Sequence, residues 1–407
     1  MLGAIIGDIV GSVHEYEKMK SKHFPPFTKH SHFTDDTVMT IAVADALLNG
    51  GTVDNFIDSM KKFARLYPNA GYGGQFGQWV LSDDRKPYNS FGNGSAMRVA
   101  PCAWYANSFE EAERLAEISA SVTHNHLEGI RGAMATAAAI YLARAGGKFK
   151  NTKADIKCYI ESRYGYDLGR TLDEIRPGYQ FNESCQETVP EAITAFLESK
   201  NFGDAIRNAV SLGGNADTLS AIAGSIAEAE YGIWQSTLTV AFRYLDDNLS
   251  SVINAWLDRG LPTGGYMVNS SHPLDHTPME LKENPHPHKI GTSFRITEAQ
   301  YARIRFGYYP MDDKMFAYFE NGRICFHWVS GGFKTCEAEI QKDGSCYAIS
   351  EIIMERNPDR EFPSDDAEDI RRFHFLIGQK ILGLKIDRRS QKANNLDLPC
   401  DWSNPAE

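Results

Sequence analysis

The sequence predicts an all-α domain over residues 1–261, a connector over 262–291, a small α+β domain over 292–390 and a flexible polar tail over 391–407. Three observations carry this reading. Apolar residues recur at helical spacing in one segment after another as far as Trp256. After Gly260 the composition turns rich in Pro, Gly, Ser and His. Further on, short apolar runs are separated by Asn321-Gly322 and Asp343-Gly344, dipeptides that accept the positive φ angles of tight hairpins.

In chain order, helices are expected at Leu2 to Val10, Thr37 to Leu48, Val53 to Leu66, Ser95 to Tyr105, Phe109 to Val122, Glu128 to Ala145, Val189 to Ser199, Phe202 to Leu212 and Asp217 to Tyr231. Thr52 or Asp54 and Ser108 are candidate N-caps, and Gly146-Gly147 a stop. Two helices are slim: one carries Gly132, Ala133, Ala135 and Ala137 to Ala139, the other Ala221, Ala223, Gly224, Ala227 and Ala229. Slim helices approach closely and suit a buried central layer. In the connector, His272-Pro273, His286-Pro287 and His288 are interleaved with prolines and lack an acidic partner at ligand spacing, so a solvated linker is favoured over a metal site. Strands are expected at Lys314 to Tyr318, Gly322 to Val329, Gly332 to Ile340 and Cys346 to Ile349, then an amphipathic helix from Asp365 to Leu382. Phe316, Tyr318, Phe319, Phe326, His327, Trp328 and Phe333 are expected to form its core.

Composition narrows the function. The 407 residues carry a formal net charge of −11, which disfavours nonspecific nucleic-acid binding. Met1 to Val13 has no basic n-region, so no signal peptide is expected, and no apolar stretch reaches the roughly 18 residues of a membrane span. Seven scattered cysteines without CxxC spacing point to reduced thiols and a cytoplasmic protein.

Five segments carry candidate chemistry. Thr34-Asp35-Asp36-Thr37 opens a helix, and Gly213-Gly214-Asn215-Ala216-Asp217-Thr218 opens another. Carboxylates and hydroxyls are hard ligands for magnesium, manganese or calcium. Either acidic segment also reads as a capped helix start, in which the carboxylate accepts backbone N–H bonds. Glu15 follows Gly11-Ser12 on an expected loop, where an acid activates water or closes over a substrate; taken alone, it is read first as a solvated surface acid. Asp8 sits among apolar residues and is expected to be buried and paired. Gly92-Asn93-Gly94-Ser95 before a helix forms a possible backbone nest for phosphate, although it is neither a P-loop nor a dinucleotide fingerprint. Tyr72-Gly73-Gly74 and Thr123-His124-Asn125-His126 add a glycine pair and two imidazoles.

Taken together and in order, these segments resemble the ADP-ribosylglycohydrolase family, which includes dinitrogenase reductase-activating glycohydrolase and the ADP-ribosyl-acceptor hydrolases. The resemblance covers roughly Met1 to Gly260. It implies an all-α ADP-ribosylglycohydrolase domain with two Mg2+ or Mn2+ ions. Thr34, Asp35, Asp36, Asp217 and Thr218 match metal ligands, and Glu15 matches a loop acid near the scissile ribose; Glu15 and Asp36 are the candidate catalytic acids. Asn93, Gly94, Ser95 and Met97 match a diphosphate loop, His126 matches a position near ADP-ribose, and Gly73 and Gly74 are further substrate-binding candidates. One departure stands out. The family pattern is usually Gly-Gly-Asp-x-Asp-Thr, and Asn215 replaces the first Asp. Asn offers a carbonyl oxygen but no charge, so at least one metal position is weakened. The expected function is metal-dependent hydrolysis of a glycosidic bond to ADP-ribose, on an ADP-ribosylated protein or small conjugate, with a nucleic-acid acceptor left open and no membrane partner. The alternative is a non-catalytic ADP-ribose-binding module. A crystallin-like structural relative is disfavoured by the retained ligand motifs.

Overall fold

The computed structural model describes residues 1–145, 152–267, 283–306, 308–312, 315–328, 334–356 and 365–382. The chain divides into two units, Met1–Ile233 with Val252–Tyr266, and Trp234–Ser251 with Met267–Glu407.

The first unit is built from α1 (Leu2–Gly11), α2 (Asp35–Leu48), α3 (Val53–Leu66), α4 (Gly74–Leu81), α5 (Gly94–Met97), α6 (Ala100–Tyr105), α7 (Phe109–Ser121), α8 (Leu127–Arg144), α9 (Thr152–Tyr164), α10 (Leu172–Ile175), α11 (Cys185–Leu197), α12 (Phe202–Val210) and α13 (Ala216–Tyr231). α13 is the central helix, buried from Ala216 to Glu228 and packed against α1, α8, α11 and α12. Its small residues permit this. On α1, Gly3, Gly7 and Gly11 recur every fourth position and face Gly224, Ser220 and Asp217, so a methyl group on any of the three would collide with α13. Ser220 Oγ donates to Gly7 O at 2.9 Å across the same contact. Glu228 accepts from the Gly3 and Gly264 N–H groups and tethers the far end of the pair.

Several boundaries differ from expectation for local reasons. The single helix expected from Ser95 to Tyr105 is two, α5 and α6, because Pro101 lies in the first turn of α6 and lacks the N–H a continuous helix needs. Thr52 caps α3 reciprocally with Asn55, and Ser108 caps α7. Helices α4, α9 and α10 lie in stretches not expected to be helical.

The chain then passes through β1 (Ile233–Trp234), α14 (Gln235–Ala241), α15 (Asp247–Asp258) and β2 (Tyr266–Met267), of which α14 belongs to the second unit and α15 is shared by residue range between the two. The second unit continues with β3 (Pro287–Ile296), α16 (Glu298–Phe306), β4 (Tyr308–Asp312), β5 (Met315–Glu320), β6 (Arg323–Trp328), β7 (Lys334–Glu339), β8 (Gln341–Asp343), β9 (Cys346–Glu355) and α17 (Asp366–Phe375), which ends in a π-helical turn, Leu376–Ile381. Its antiparallel sheet has seven strands in the order β3-β9-β7-β6-β5-β4, with β8 also on β9. The expected hairpin at Asn321-Gly322 forms with φ of 51° and 79°, and Gly344 holds φ of 62°.

The connector expectation needs correction at its end. Residues 287–291, placed in the linker for their His-Pro content, open β3 and pair with β9 from Pro287 opposite Glu355. Proline is tolerated there because β3 is an edge strand with one side unpaired. Of the expected aromatic core, Phe326 and His327 are buried, while Tyr318 and Phe319 are half-buried. The side chains of Phe316 and Trp328, residue Phe333, residues 268–282 and the tail 391–407 lie outside the described residues.

Candidate functional site

The site begins where α1 and α2 meet. Asp8, midway along α1, is fully buried and accepts three hydrogen bonds: from Thr34 N at 2.9 Å, Thr34 Oγ1 at 2.8 Å and Thr37 N at 3.0 Å. Thr34 Oγ1 in turn accepts from Asp36 N at 3.3 Å. With Asp35 N donating to Ala70 O at 2.8 Å, the orphan N–H groups of α2 are therefore satisfied by Ala70, Thr34 and Asp8. This removes the capping explanation for Asp35 and Asp36, whose carboxylates do not serve the helix end.

What those carboxylates face instead is each other and α13. Asp36 Oδ2 accepts from Thr218 Oγ1 at 3.1 Å, and Asp36 Oδ1 is buried with no hydrogen-bond partner. Asp217 Oδ1 accepts only from its neighbour's N–H, Thr218 N, at 2.8 Å among its hydrogen bonds described. Asp8, Asp36 and Asp217 each place a carboxylate oxygen within 4.8 Å of the others. Burial pushes Asp36 far up from the usual carboxylate range, and Asp217, Asp8 and Asp35 add repulsion. Asp217 is raised by burial and then by Glu15 and Asp8. Asp35 is pushed up to about 7 by burial, Asp8 and Glu15, against which buried Arg98 acts weakly. Glu15, half-buried, is raised chiefly by burial.

Crowded, buried carboxylates with a free inward oxygen are costly unless a cation neutralises them, and oxygen donors of this kind suit a hard divalent ion. The residues present therefore fit a divalent metal. Asp8 is the least suited of the close triad to hold one, since both its oxygens are already engaged by donors from α2. Asn215 precedes α13 at the N-cap position, yet its side chain makes no capping bond and it lines the cavity.

These acids form one wall of a cavity of about 350 Å³. Glu15, Asp35, Asp36, Gly73, Gly74, Asn93, Gly94, Met97, Asn215, Asp217 and Thr218 all line it, although they come from five separate stretches of chain. A Cβ on Gly73 or Gly74 would meet nothing within 4 Å, so packing does not demand these glycines and their backbone is open to a ligand. Three expected residues are not among the lining. Thr34 sits behind the acids, bonded to Asp8. Ser95 is fully buried and donates to Gly129 O at 2.7 Å, joining α5 to α8. His126 caps α8 by accepting from Glu128 N, with its ring 5.7 Å from that of Phe91.

The imidazole in the cavity wall is His124. Its Nδ1 lies 2.8 Å from Thr123 Oγ1, which accepts from the Arg98 guanidinium at 2.7 Å. Burial, and secondarily Arg98, holds His124 well below the usual histidine range, so it is neutral. Gly94 leaves room for this ring, since a Cβ there would lie 3.2 Å from His124 Nε2. Tyr16, Tyr88, Arg98, Phe181 and Glu183 also line the cavity and were not singled out as site residues from the sequence. Arg98 is nearly fully buried, is lowered to about 10 by burial, and leaves its Nε without a partner. Arg98 closes the glycine-rich motif, and its position there was the available signal. Phe181 and Glu183 lie in a segment with no motif.

An all-helical body with an acidic, divalent-type pocket between the starts of two helices is shared with a known family of domains. The ADP-ribosylglycohydrolase family model matches residues 1–238, more than half of the chain. The protein belongs to the ADP-ribosylglycohydrolase family. It is 28% identical to the human ADP-ribosylhydrolase ARH3 over 309 residues, covering 58% of this chain and 85% of that protein. It is 27% identical to ADP-ribosylarginine hydrolase Tri1 of Pseudomonas putida (strain GB-1) over 263 residues, covering 57% of this chain and 70% of that one. A solved structure titled "ADP-ribosylglycohydrolase-related protein complex" matches with 25% identity and a TM-score of 0.49, over 64% of this chain and 96% of the other.

Proposed function

We propose that this protein hydrolyses a glycosidic bond to ADP-ribose and so releases ADP-ribose from a modified acceptor, either a protein or a small conjugate. The observation that supports this most directly is the unpartnered, buried Asp36 Oδ1, which lies beside Asp217 while Thr34 and Asp8 take over the capping of α2. Asp35, Asp36, Asn215, Asp217 and Thr218, with Thr34 behind them, would hold two Mg2+ or Mn2+ ions. Such ions, when bound, polarise sugar hydroxyls and make water a better nucleophile at neutral pH.

The cavity's own charges orient the substrate. An anionic diphosphate is repelled by the acidic wall and is accepted by the open backbone of Gly73, Gly74 and Gly94, in a cavity whose lining also includes the buried cation of Arg98. The ribose then points toward Asp35, Asp36 and Asp217. Positive charge developing at the anomeric carbon is stabilised by these carboxylates. Glu15 lies on the loop at the cavity wall, and its proton affinity, raised chiefly by burial, suits it to take and return a proton. Asp36 is the second candidate for that role. His124, neutral and tied to Thr123, offers a fixed hydrogen-bonding edge rather than a charge.

The second reading is an ADP-ribose-binding module without turnover, and Asn215 is the observation that favours it. Residues 1–261 form the catalytic portion under this proposal and 292–390 an accessory one. The scattered cysteines favour a cytoplasmic location, and among the described residues no helix is long and apolar enough to cross a membrane. Incubating ADP-ribosylated protein with this enzyme plus Mg2+ or Mn2+, and again with chelator, tests hydrolysis. Release of ADP-ribose only with metal is expected. Binding of ADP-ribose without release under any metal condition establishes the second reading instead.

A further inference from the structure

Three pieces of the cavity wall come from distant parts of the chain. They are the loop after α1 with Glu15 and Tyr16, the loop before α11 with Phe181 and Glu183, and the turn before α13 with Asn215 and Asp217. They converge on one side chain. Lys20, on the first loop, donates from Nζ to Tyr179 O at 2.7 Å and to Leu212 O. Tyr179 leads into the second piece and Leu212 into the third.

The backbones around Lys20 are in close contact. A Cβ on Gly213 would lie 3.1 Å from Met19 O and 3.2 Å from Lys20 Nζ, and one on Gly214 would lie 2.8 Å from Gln180 O. Both glycines hold positive φ, 71° and 81°, so the turn has neither the room nor the conformation for a side chain. A lysine near a helix end is commonly just a cap for free carbonyls. Lys153 does this here, donating to Leu197 O and Ser199 O past the end of α11, and Lys61 does it for Trp79, Ser82 and Asp84. Each of those serves a single stretch of chain. Lys20 differs because its two acceptors belong to separate segments and it comes from a third.

Other ties to this loop reach less far. Arg207 donates to Lys22 O and Phe24 O, and Lys22 pairs with Asp204 at 2.6 Å, all on α12. The Tyr16 and Phe181 rings stack at 6.0 Å, but Tyr16 is 84% exposed and the contact is poorly shielded from water. Lys20 is itself exposed, but its ammonium is held by charge-assisted bonds to two carbonyls, that to Leu212 part-buried, which constrain the loop more directionally than a ring stack.

We propose that Lys20 is a positioning residue that holds these three segments in one register and thereby sets where Glu15 stands relative to Asn215 and Asp217. The functional part of this rests on the reading of the cavity as a site for divalent ions and ADP-ribose. The geometric part does not.

The test uses the full chain with Lys20→Met, Lys20→Arg and Lys22→Ala. In the ligand-free protein, hydrogen exchange is followed at residues 178–183 and 211–218. Lys20→Met is expected to accelerate exchange in both stretches together, by about tenfold or more, and Lys20→Arg, which keeps two donors, to restore it. Unchanged exchange in Lys20→Met overturns the proposal, as does acceleration that Lys20→Arg fails to reverse. Calorimetric titration with Mn2+ and with ADP-ribose forms the second arm. About tenfold weaker binding in Lys20→Met with wild-type binding in Lys22→Ala is expected; equal loss in both variants overturns the special role of Lys20. If the wild-type protein binds neither ligand, the functional reading fails and the exchange arm alone judges Lys20. Should Lys20→Met not fold, Lys20→Gln carries the same comparisons.

Discussion

Thr218 donates its hydroxyl to Asp36 at 3.1 Å, a bond between residues 182 positions apart in the chain. It joins the first turn of α13 to the first turn of α2. Two helix starts thus point their acids at a common space, and the positive ends of both helices favour anionic groups there. The same arrangement leaves Asp36 with one oxygen unused.

That oxygen leads to the first prediction. Asp36→Asn removes a buried carboxyl whose ionised form is disfavoured by burial and repelled by Asp217, Asp8 and Asp35. In the metal-free protein it is expected to be neutral or to raise stability by about 1 kcal/mol, while weakening Mn2+ binding by about tenfold or more. Thermal unfolding and calorimetry check the two halves separately. A metal-free loss of several kcal/mol would mean that Asp36 serves the fold.

Under the proposed metal site, Asn215→Asp adds an anionic donor at a position that lines the cavity and makes no capping bond. Divalent affinity is expected to rise by about tenfold, with ADP-ribose release rising or unchanged at saturating metal. If affinity and release both stay at wild-type values, Asn215 is not the weak point of the ligand set.

The acidic cluster also sets a pH dependence. Asp35 is raised to about 7 in the folded protein, so the folded state holds this proton more tightly than the unfolded state does. The resulting stabilisation is full below about pH 4 and is lost as pH rises through about 7. Asp36 and Asp217 shift in the same direction. The metal-free unfolding midpoint is therefore expected to fall by several degrees from about pH 5 to about pH 8, and saturating Mg2+ to remove most of that fall. A flat metal-free profile contradicts the crowding of these carboxylates.

Gly11 links packing to the site. A Cβ there would lie 2.5 Å from Asp217 Cα and 2.6 Å from Ala216 O, both backbone atoms of α13 that cannot swing away. Gly11→Ala is expected to cost about 1–3 kcal/mol of stability and to weaken divalent binding as well, because it displaces Asp217. A variant as stable as wild type, with unchanged Mn2+ affinity, would show that α1 and α13 have slack that this geometry denies.

A histidine in the second unit supplies a contrasting pH effect. His374 is lowered to about 4 by burial, beside Thr292 at 3.1 Å and the Phe294 ring at 4.9 Å. Its folded pKa is depressed, so the stabilisation it carries is present above about 6.5 and is lost as pH falls toward about 4. Near-ultraviolet circular dichroism of the full chain is expected to show this unit loosening over that range, and His374→Gln to flatten the response.

Much of this was legible in the sequence because the signals were local. Thr34-Asp35-Asp36 and Asp217-Thr218 each sit at a helix start, and two such oxygen-rich starts in one helical domain suggested a shared site. Asn321-Gly322 turned where its backbone preferences require. Other features were hidden because they depend on partners far along the chain. Asp8 gave no sign that it would cap α2, since a buried carboxylate on α1 becomes a cap only when another helix start is brought to it. His124 and His126 stand two residues apart, and the start of α8 at Leu127 decides which one becomes the cap and which enters the cavity. Pro287 looked like linker because its place on a sheet edge is a property of the sheet.

The sequence by itself determined the kinds of atom available: oxygen ligands at two helix starts, glycines that allow close approach, and an amide where relatives of the family usually carry a carboxylate. Only the tertiary structure decided which of those atoms are free. Thr34 and Asp8 spend their hydrogen bonds on α2, Ser95 spends its own on Gly129, and Asp36 keeps an oxygen in reserve. Hydrogen-bonding capacity is fixed by residue type, whereas its use depends on what folding places within about 3 Å.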